Sequence, residues 1–272
     1  MQDAKAVYTP MAINMFLSAD DLHDNTTRMH MSLCANGPVL SYQSVVGMLM
    51  WAMQDTRPDL ACVMEAVEWC STNSKCCHWD LAKCIIWYLK GTYNWILVYN
   101  RSDVSMNMTF HGYTGTDWSG DNDTSSSISG YVFITNKAAI GWSSKHQSMV
   151  ALSSTESKYI GLANTEQHLT WLRSFCEELD KPQDGATELR CDNQVAIILT
   201  KDPRFRARSK HIQCKYHFVR NGLVATGEAA VLWYPTDDMV ADIFTKVLPH
   251  YKHMKFCHAM GLHPVSSGSV RR

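Results

Sequence analysis

Five carboxylates in the second half of the chain, Asp117, Asp121, Glu156, Asp192 and Asp242, fall at the ends of predicted elements. Oxygen ligands at strand ends and first helical turns, repeated across one sheet, are how a fold gathers hard divalent cations. Two such ions about 4 Å apart clamp a phosphodiester and activate a water. Each residue also has a plain structural use. Glu156 follows Ser153 at capping-box spacing, Asp192 and Asp237 stand where helices start, and Asp117 and Asp121 suit turns. Taken one at a time, the structural use is the better explanation; only elements that bring the carboxylates together favour chemistry.

A second chemical feature is a basic run. Lys201, Arg204, Arg206, Arg208, Lys210, Lys215 and Arg220 are opposed only by Asp202, and His211 and His217 add donors. Such a run suits phosphate contacts, which give salt-dependent affinity and little sequence information. The competing reading is an ordinary solvated helix face. Trp142-Ser-Ser-Lys145, at a predicted hairpin end, offers Lys145 as a further contact. The cysteines are less promising. None forms a C-x-x-C pair, and Cys76-Cys77-His78 lacks the second ligand pair a zinc site needs, so the ten are read as free thiols. Asn25-Thr-Thr27, Asn107-Met-Thr109 and Asn122-Asp-Thr124 match the glycosylation sequon, read as coincidence.

The elements that must position these residues change character along the chain. Residues 1–40 are polar and read as extended or poorly ordered. Val45, Met48, Leu49 and Ala52 have helical spacing over 41–53, Asp59 suits the cap of a helix running to about Cys70, and a third helix covers about 78–90 and stops at Gly91. Strands follow at 106–114, 129–135 and 138–143, the last two joined by Asn136-Lys137 as a hairpin. A helix from Thr155 to about Leu179 presents Tyr159, Leu162, Ala163, Leu169, Leu172, Phe175, Cys176 and Leu179. A strand at 187–191, a helix at 193–200, a basic helical segment near 208–224, a strand at 229–234 and a terminal helix from Asp237 complete the order. The predicted class is α/β: a mixed five-stranded sheet flanked by helices, preceded by a mainly helical segment. The divisions expected are 1–40, a helical 41–105, a sheet domain at 106–250, and a tail at 251–272.

Composition sets the outer limits. The chain has 272 residues, 46% hydrophobic and 19% charged, enough to bury a core. With 25 Lys+Arg against 26 Asp+Glu, the net charge of -1 excludes a globally basic or strongly acidic protein but not patches that cancel. No apolar run reaches the roughly 20 residues of a membrane helix. The N-terminus lacks the basic and apolar regions of a signal peptide, so the expectation is an intracellular chain with no membrane partner.

Residues 107–250 resemble the ribonuclease H domain of copia-type retrotransposon polyproteins. The matching stretches include Gly112-Tyr-Thr-Gly-Thr-Asp-Trp-Ser-Gly-Asp121, Ser129-Gly-Tyr-Val-Phe133, Trp142-Ser-Ser-Lys145 and Val150-Ala-Leu-Ser-Ser-Thr-Glu156. Further along are Cys191-Asp-Asn-Gln194, Lys210-His-Ile212, Tyr216-His-Phe-Val-Arg220, Tyr234-Pro-Thr236 and Ala241-Asp-Ile-Phe-Thr-Lys246. Upstream, Tyr42-Gln-Ser-Val-Val-Gly47, Thr56-Arg-Pro-Asp59 and Tyr88-Leu-Lys-Gly-Thr92 resemble the segment joining reverse transcriptase to ribonuclease H. No reverse transcriptase active site is recognisable; on this resemblance it would precede residue 1.

The resemblance implies a ribonuclease H-like fold that hydrolyses RNA in RNA–DNA hybrids with two Mg²⁺ (or Mn²⁺) ions. It assigns Glu156, Asp192 and Asp242 as catalytic metal ligands. The family's first aspartate, in Gly-Tyr-Ser-Asp-Ala-Asp-Trp, is Gly115 here, and the second survives as Asp117. In the family the first carboxylate bridges both metals, so its loss implies at least a ~10²–10³-fold lower rate. On a regular strand Asp117 would face the same side, displaced by roughly 7 Å. Gln213 and Asn221 also depart from the family pattern. Three readings follow: an impaired nuclease fragment that still binds nucleic acid, an active nuclease in which Asp117 compensates, or a non-enzymatic nucleic-acid or protein interaction module. Exposed helix faces in the first hundred residues also suggest self-association.

Overall fold

A computed structural model of the chain describes residues 6–13, 31–32, 39–69, 76–100, 109–120, 125–201, 224 and 226–265. Its elements run β1 (Met31–Ser32), β2 (Val39–Leu40), α1 (Tyr42–Asp55), α2 (Ala61–Trp69), α3 (Cys76–Gly91), β3 (Trp95–Leu97), β4 (Phe110–Asp117), β5 (Ile128–Thr135) and β6 (Ala138–His146). Then come α4 (Ser154–Glu178), β7 (Thr187–Cys191), α5 (Gln194–Lys201), β8 (Ala229–Trp233), two 3₁₀ turns (Thr236–Asp238 and Val240–Phe244), α6 (His250–Ala259) and β9 (Leu262–Pro264). No helix among the described residues is long and apolar enough to cross a membrane. The chain divides into two compact units, one from residues 1–97, 247–258 and 262–272, the other from 98–246 and 259–261.

In the first unit, α1 starts at Ser41, whose hydroxyl accepts the Ser44 N–H as an N-cap. Its buried stripe is Tyr42, Val45, Val46 and Leu49, while Met48, expected inside, is exposed. These residues pack with Leu60, Met64, Val67, Trp79, Leu81, Ile85 and Tyr88 in one apolar core. Asp59, expected as a helix cap, is instead buried inside a 3₁₀ turn at Pro58–Leu60. Arg57 donates to it from Nε (2.9 Å) and Nη2 (2.7 Å), and Nη2 also reaches Thr92 Oγ1 at 2.7 Å. A guanidinium and a carboxylate taken out of water must find each other, and that demand overrides local capping. β3 pairs antiparallel with β9.

The second unit carries a five-stranded mixed sheet in the order β6-β5-β4-β7-β8, with β4, β5 and β6 antiparallel and β7 and β8 parallel to β4. This is the ribonuclease H-like α/β arrangement. The β5–β6 hairpin turns at Asn136 and Lys137, both at positive φ (49° and 66°), the left-handed pair a two-residue turn requires. α4 begins at Ser153, whose hydroxyl accepts the Glu156 N–H at 3.2 Å. Tyr159, Leu162, Ala163, Leu169, Leu172 and Cys176 are buried on it as the spacing predicts, but Phe175 and Leu179 are exposed. Gly161 lets α4 approach the sheet, since a Cβ there would lie 2.5 Å from Thr116 Cγ2. One turn on, Thr165 Oγ1 is 2.9 Å from Thr114 Oγ1.

Two elements of this unit also differ from expectation. β4 runs from Phe110 to Asp117, further along than 106–114, so Gly115 and Asp117 both lie inside the strand. Of the expected start, 106–108 lies outside the described residues. The helix expected from Asp237 is replaced by the two 3₁₀ turns, because Met239 between them is extended (φ -71°, ψ 95°). All five residues of the second turn, Val240 to Phe244, are buried, which a one-sided amphipathic helix would not allow. The basic segment at 208–224 lies outside the described residues apart from Val224.

Candidate active site

The sheet order delivers the candidate residues to one edge. β4 and β7 are parallel neighbours with Gly112 opposite Leu189 and Tyr113 opposite Arg190. Continuing that register brings Gly115 level with Asp192, just past the end of β7. β8 lies beside β7 with Trp233 opposite Cys191, and the chain then turns through Thr236 towards Asp242. Thr236 Oγ1 is 3.5 Å from Asp192 Oδ2. The α4 start is fixed by Gln147, whose buried amide donates to Ser129 Oγ (2.8 Å) and the Ser157 carbonyl (2.9 Å).

Gly115 pairs with Gly130 across β4 and β5, and the Val240–Phe244 turn packs on this glycine pair. A Cβ on Gly115 would stand 3.1 Å from Ala241 Cβ, and one on Gly130 only 2.5 Å from Phe244 Cβ. The position where the family's first carboxylate would begin is therefore covered by the turn that carries Asp242.

Glu156 and Asp192 accept from protein donors, and Asp242 has an ion-pair partner. Glu156 Oε2 accepts the N–H of Leu152, the residue before the Ser153 N-cap, at 2.9 Å. Asp192 Oδ1 is ion-paired with Lys158, and its side chain is only 9% exposed. Asp242 Oδ2 lies 2.9 Å from Lys246 Nζ, one helical step along the chain. Burial pushes the Asp117 carboxyl above its usual range; Lys246 opposes the rise, Asp242 adds to it, and Lys158 opposes it again. Asp117, Asp242, Lys158 and Lys246 thus share one electrostatic neighbourhood, with Asp192 bound to Lys158. The two lysines escaped the sequence reading. Lys246 left a modest signal, following Asp242 at i,i+4, whereas Lys158 left none, because residues two apart on a helix do not share a face.

As they stand, these donors do not fit two closely spaced divalent ions. Among the described residues, the only group of three or more His, Cys, Asp or Glu side chains with ligand atoms all within 4.8 Å of one another is Asp59, His253 and Cys257 in the first unit. No three of Asp117, Glu156, Asp192 and Asp242 meet that spacing. The Asp59 group is itself a filled network. Tyr88 donates its hydroxyl proton to Asp59 Oδ2 at 2.6 Å, and His253 Nε2 lies 3.0 Å from the same hydroxyl. With that proton committed to Asp59, His253 must be the donor in the second contact. Arg57 already supplies the cation for Asp59.

Of the remaining sequence candidates, Lys145 is an exposed residue of β6. Lys201 ends α5, but its side chain, together with Arg204, Arg206, Arg208, Lys210, His211, Lys215 and Arg220, lies outside the described residues, as does Asp121. Cys62, Cys84, Cys176, Cys191 and Cys257 are not in disulfides.

No protein-family model matches the chain. It is 38% identical over 263 residues, 97% of its length, to the retrovirus-related Pol polyprotein from transposon TNT 1-94 of Nicotiana tabacum, of which it covers 19%. It is 33% identical over its full length to the corresponding polyprotein from transposon RE2 of Arabidopsis thaliana, covering 18%. Against transposon RE1 of the same plant it is 33% identical over 262 residues, covering 17%. The chain thus spans less than a fifth of the length of these relatives. With identity at this level sustained along nearly all its residues, it belongs to the copia-type retrovirus-related Pol polyproteins.

Proposed function

We infer that this chain is a polyprotein fragment whose ribonuclease H-like unit binds RNA–DNA hybrids or related nucleic acid but has lost, or nearly lost, the power to cleave them. Gly115 carries this reading. It stands level with Asp192, its missing side chain would point at the turn bearing Asp242, and glycine supplies no oxygen there. The ancestral chemistry is hydrolysis of the RNA strand with two Mg²⁺ or Mn²⁺ ions. Glu156, Asp192 and Asp242 are the inherited ligands, and Asp117 is the nearest substitute for the lost one. Asp117 feels the charge of Asp242 but is two residues further along the strand. Nucleic-acid affinity is assigned to the basic run from Lys201 to Arg220, aided by Lys145 on the hairpin.

The test is an RNA–DNA hybrid cleavage assay in Mg²⁺ and in Mn²⁺, with a salt titration of hybrid binding. Binding should weaken as salt rises, and the rate should fall at least ~10²-fold below that of an enzyme with an intact site. Robust wild-type cleavage abolished by Glu156→Ala would overturn the reading.

A further inference from the structure

We propose that Lys158 and Lys246 are resident cations that stand in for divalent metal in the carboxylate cluster of the second unit, so that the cluster is charge-compensated without an ion. The proposal rests on the degenerate-site reading and deepens it: Gly115 removes one ligand, and the two ammonium groups occupy ligand oxygens that remain.

Three observations carry it. First, Lys158 Nζ donates to Asp192 Oδ1, just past the end of β7, and Lys246 Nζ forms an ion pair at 2.9 Å with Asp242 Oδ2, inside the second 3₁₀ turn; these are the two inherited ligands. Both carboxylates are nearly removed from water, with side chains 9% and 6% exposed, so each requires a nearby positive charge. Second, the carboxylates are arranged for ammonium rather than for a small dication. An ammonium satisfies oxygens about 2.7–2.9 Å away and holds several at once, whereas Mg²⁺ draws its ligands to about 2.0–2.1 Å in a near-octahedral shell. No three of the four carboxylates approach within 4.8 Å. Third, Glu156, in the same helical turn as Lys158, is committed to the Leu152 N–H at 2.9 Å. Turning it towards a metal would take this acceptor from the Leu152 N–H, just ahead of the Ser153 cap.

One consequence separates this from a simple loss of one ligand. Gly115→Asp alone adds a negative charge beside two lysines and does not by itself clear the ligand oxygens. Removing the lysines uncovers a demand for positive charge that an added dication can meet.

The experiment measures Mn²⁺ binding by electron paramagnetic resonance and thermal stability with and without Mn²⁺, on the full chain. Wild type, Lys158→Ala/Lys246→Ala, the milder Lys158→Gln, and Gly115→Asp are compared. Wild type should show no stoichiometric binding at millimolar Mn²⁺ and no shift in Tm. The lysine variants should melt lower without metal, recover on adding Mn²⁺, and bind Mn²⁺ at least ~10-fold more tightly than wild type. If the double variant does not fold, Lys158→Gln carries the comparison. Stoichiometric Mn²⁺ binding by wild type, or lysine variants binding no better than wild type, would overturn the proposal. Hybrid cleavage by wild type would overturn the functional reading above, whereas Mn²⁺ binding without cleavage overturns only the resident-cation proposal.

Discussion

Replacing Asp59 with asparagine should destabilise the first unit severely. The native carboxylate is 2% exposed and accepts from Arg57 Nε, Arg57 Nη2 and the Tyr88 hydroxyl at 2.9, 2.7 and 2.6 Å. Asparagine keeps the shape but removes the charge, turns one acceptor into a donor facing donors, and leaves the Arg57 guanidinium, itself 6% exposed, without a counter-ion. Breaking a buried pair from one side typically costs about 3–5 kcal/mol. Against a domain stability of about 5–15 kcal/mol this is a large fraction. For a unit of roughly 120 residues it corresponds to a Tm drop of at least ~10 °C. Urea denaturation followed by tryptophan fluorescence, to which the fully buried Trp79 contributes, reads the change. The partner control is Arg57→Met/Asp59→Leu, which removes both charges and should recover most of the loss. A change below about 1 kcal/mol for Asp59→Asn would refute the reasoning, because it would mean that Arg57 finds water or another anion when its partner is gone.

Other outcomes follow from the same kind of geometry. Burial lowers the His253 imidazole to about 4 from 6.5, with Asp59 opposing the shift and His250 and Arg57 adding to it. The unfolded ring takes up a proton below about pH 6.5 while the folded ring stays neutral. Stability should therefore be full above pH 6.5 and fall by roughly 3 kcal/mol as pH drops towards 4, a slope that His253→Gln should flatten in pH-dependent denaturation. Glycine-to-alanine changes should have opposite signs at two positions. Gly130→Ala puts a Cβ 2.5 Å from Phe244 Cβ and 2.9 Å from Thr245 Cγ2, and should lose about 1–3 kcal/mol in equilibrium unfolding. Gly47→Ala, inside α1 with nothing within 4 Å, should gain about 0.5–1 kcal/mol, and a loss there would contradict the open surroundings.

The local signals in the sequence were those carried by short-range physics. Alternation and turn chemistry located β5, β6, β7 and β8 closely, and the positive φ of Asn136 and Lys137 is what a two-residue turn demands. The Ser153–Glu156 cap was legible because both partners lie within one helical turn. Misplaced boundaries came from long-range packing. The 3₁₀ turn at Val240–Phe244 reads as helix from propensity, but its five buried residues are held against the Gly115–Gly130 pair, more than a hundred residues away in sequence. Asp59 reads as a cap, but Thr92 and Tyr88 draw it and Arg57 into a buried network. Phe175 and Leu179 fit the helical stripe of α4 yet lie on its exposed side.

By itself the sequence determined the α/β class and the order of the sheet strands along the chain, which are properties of residue type and spacing, and its resemblance to the copia-type family singled out Glu156, Asp192, Asp242 and the glycine at position 115. Only the tertiary structure decided what surrounds them. Parallel pairing of β4 with β7 sets Gly115 level with Asp192, glycine at 115 and 130 lets the Asp242 turn pack closely on the sheet, and Lys158 and Lys246 form ion pairs with Asp192 and Asp242. A buried carboxylate must be compensated by whatever cation the fold brings within reach, and that reach is fixed by strand register and packing distance rather than by separation along the chain.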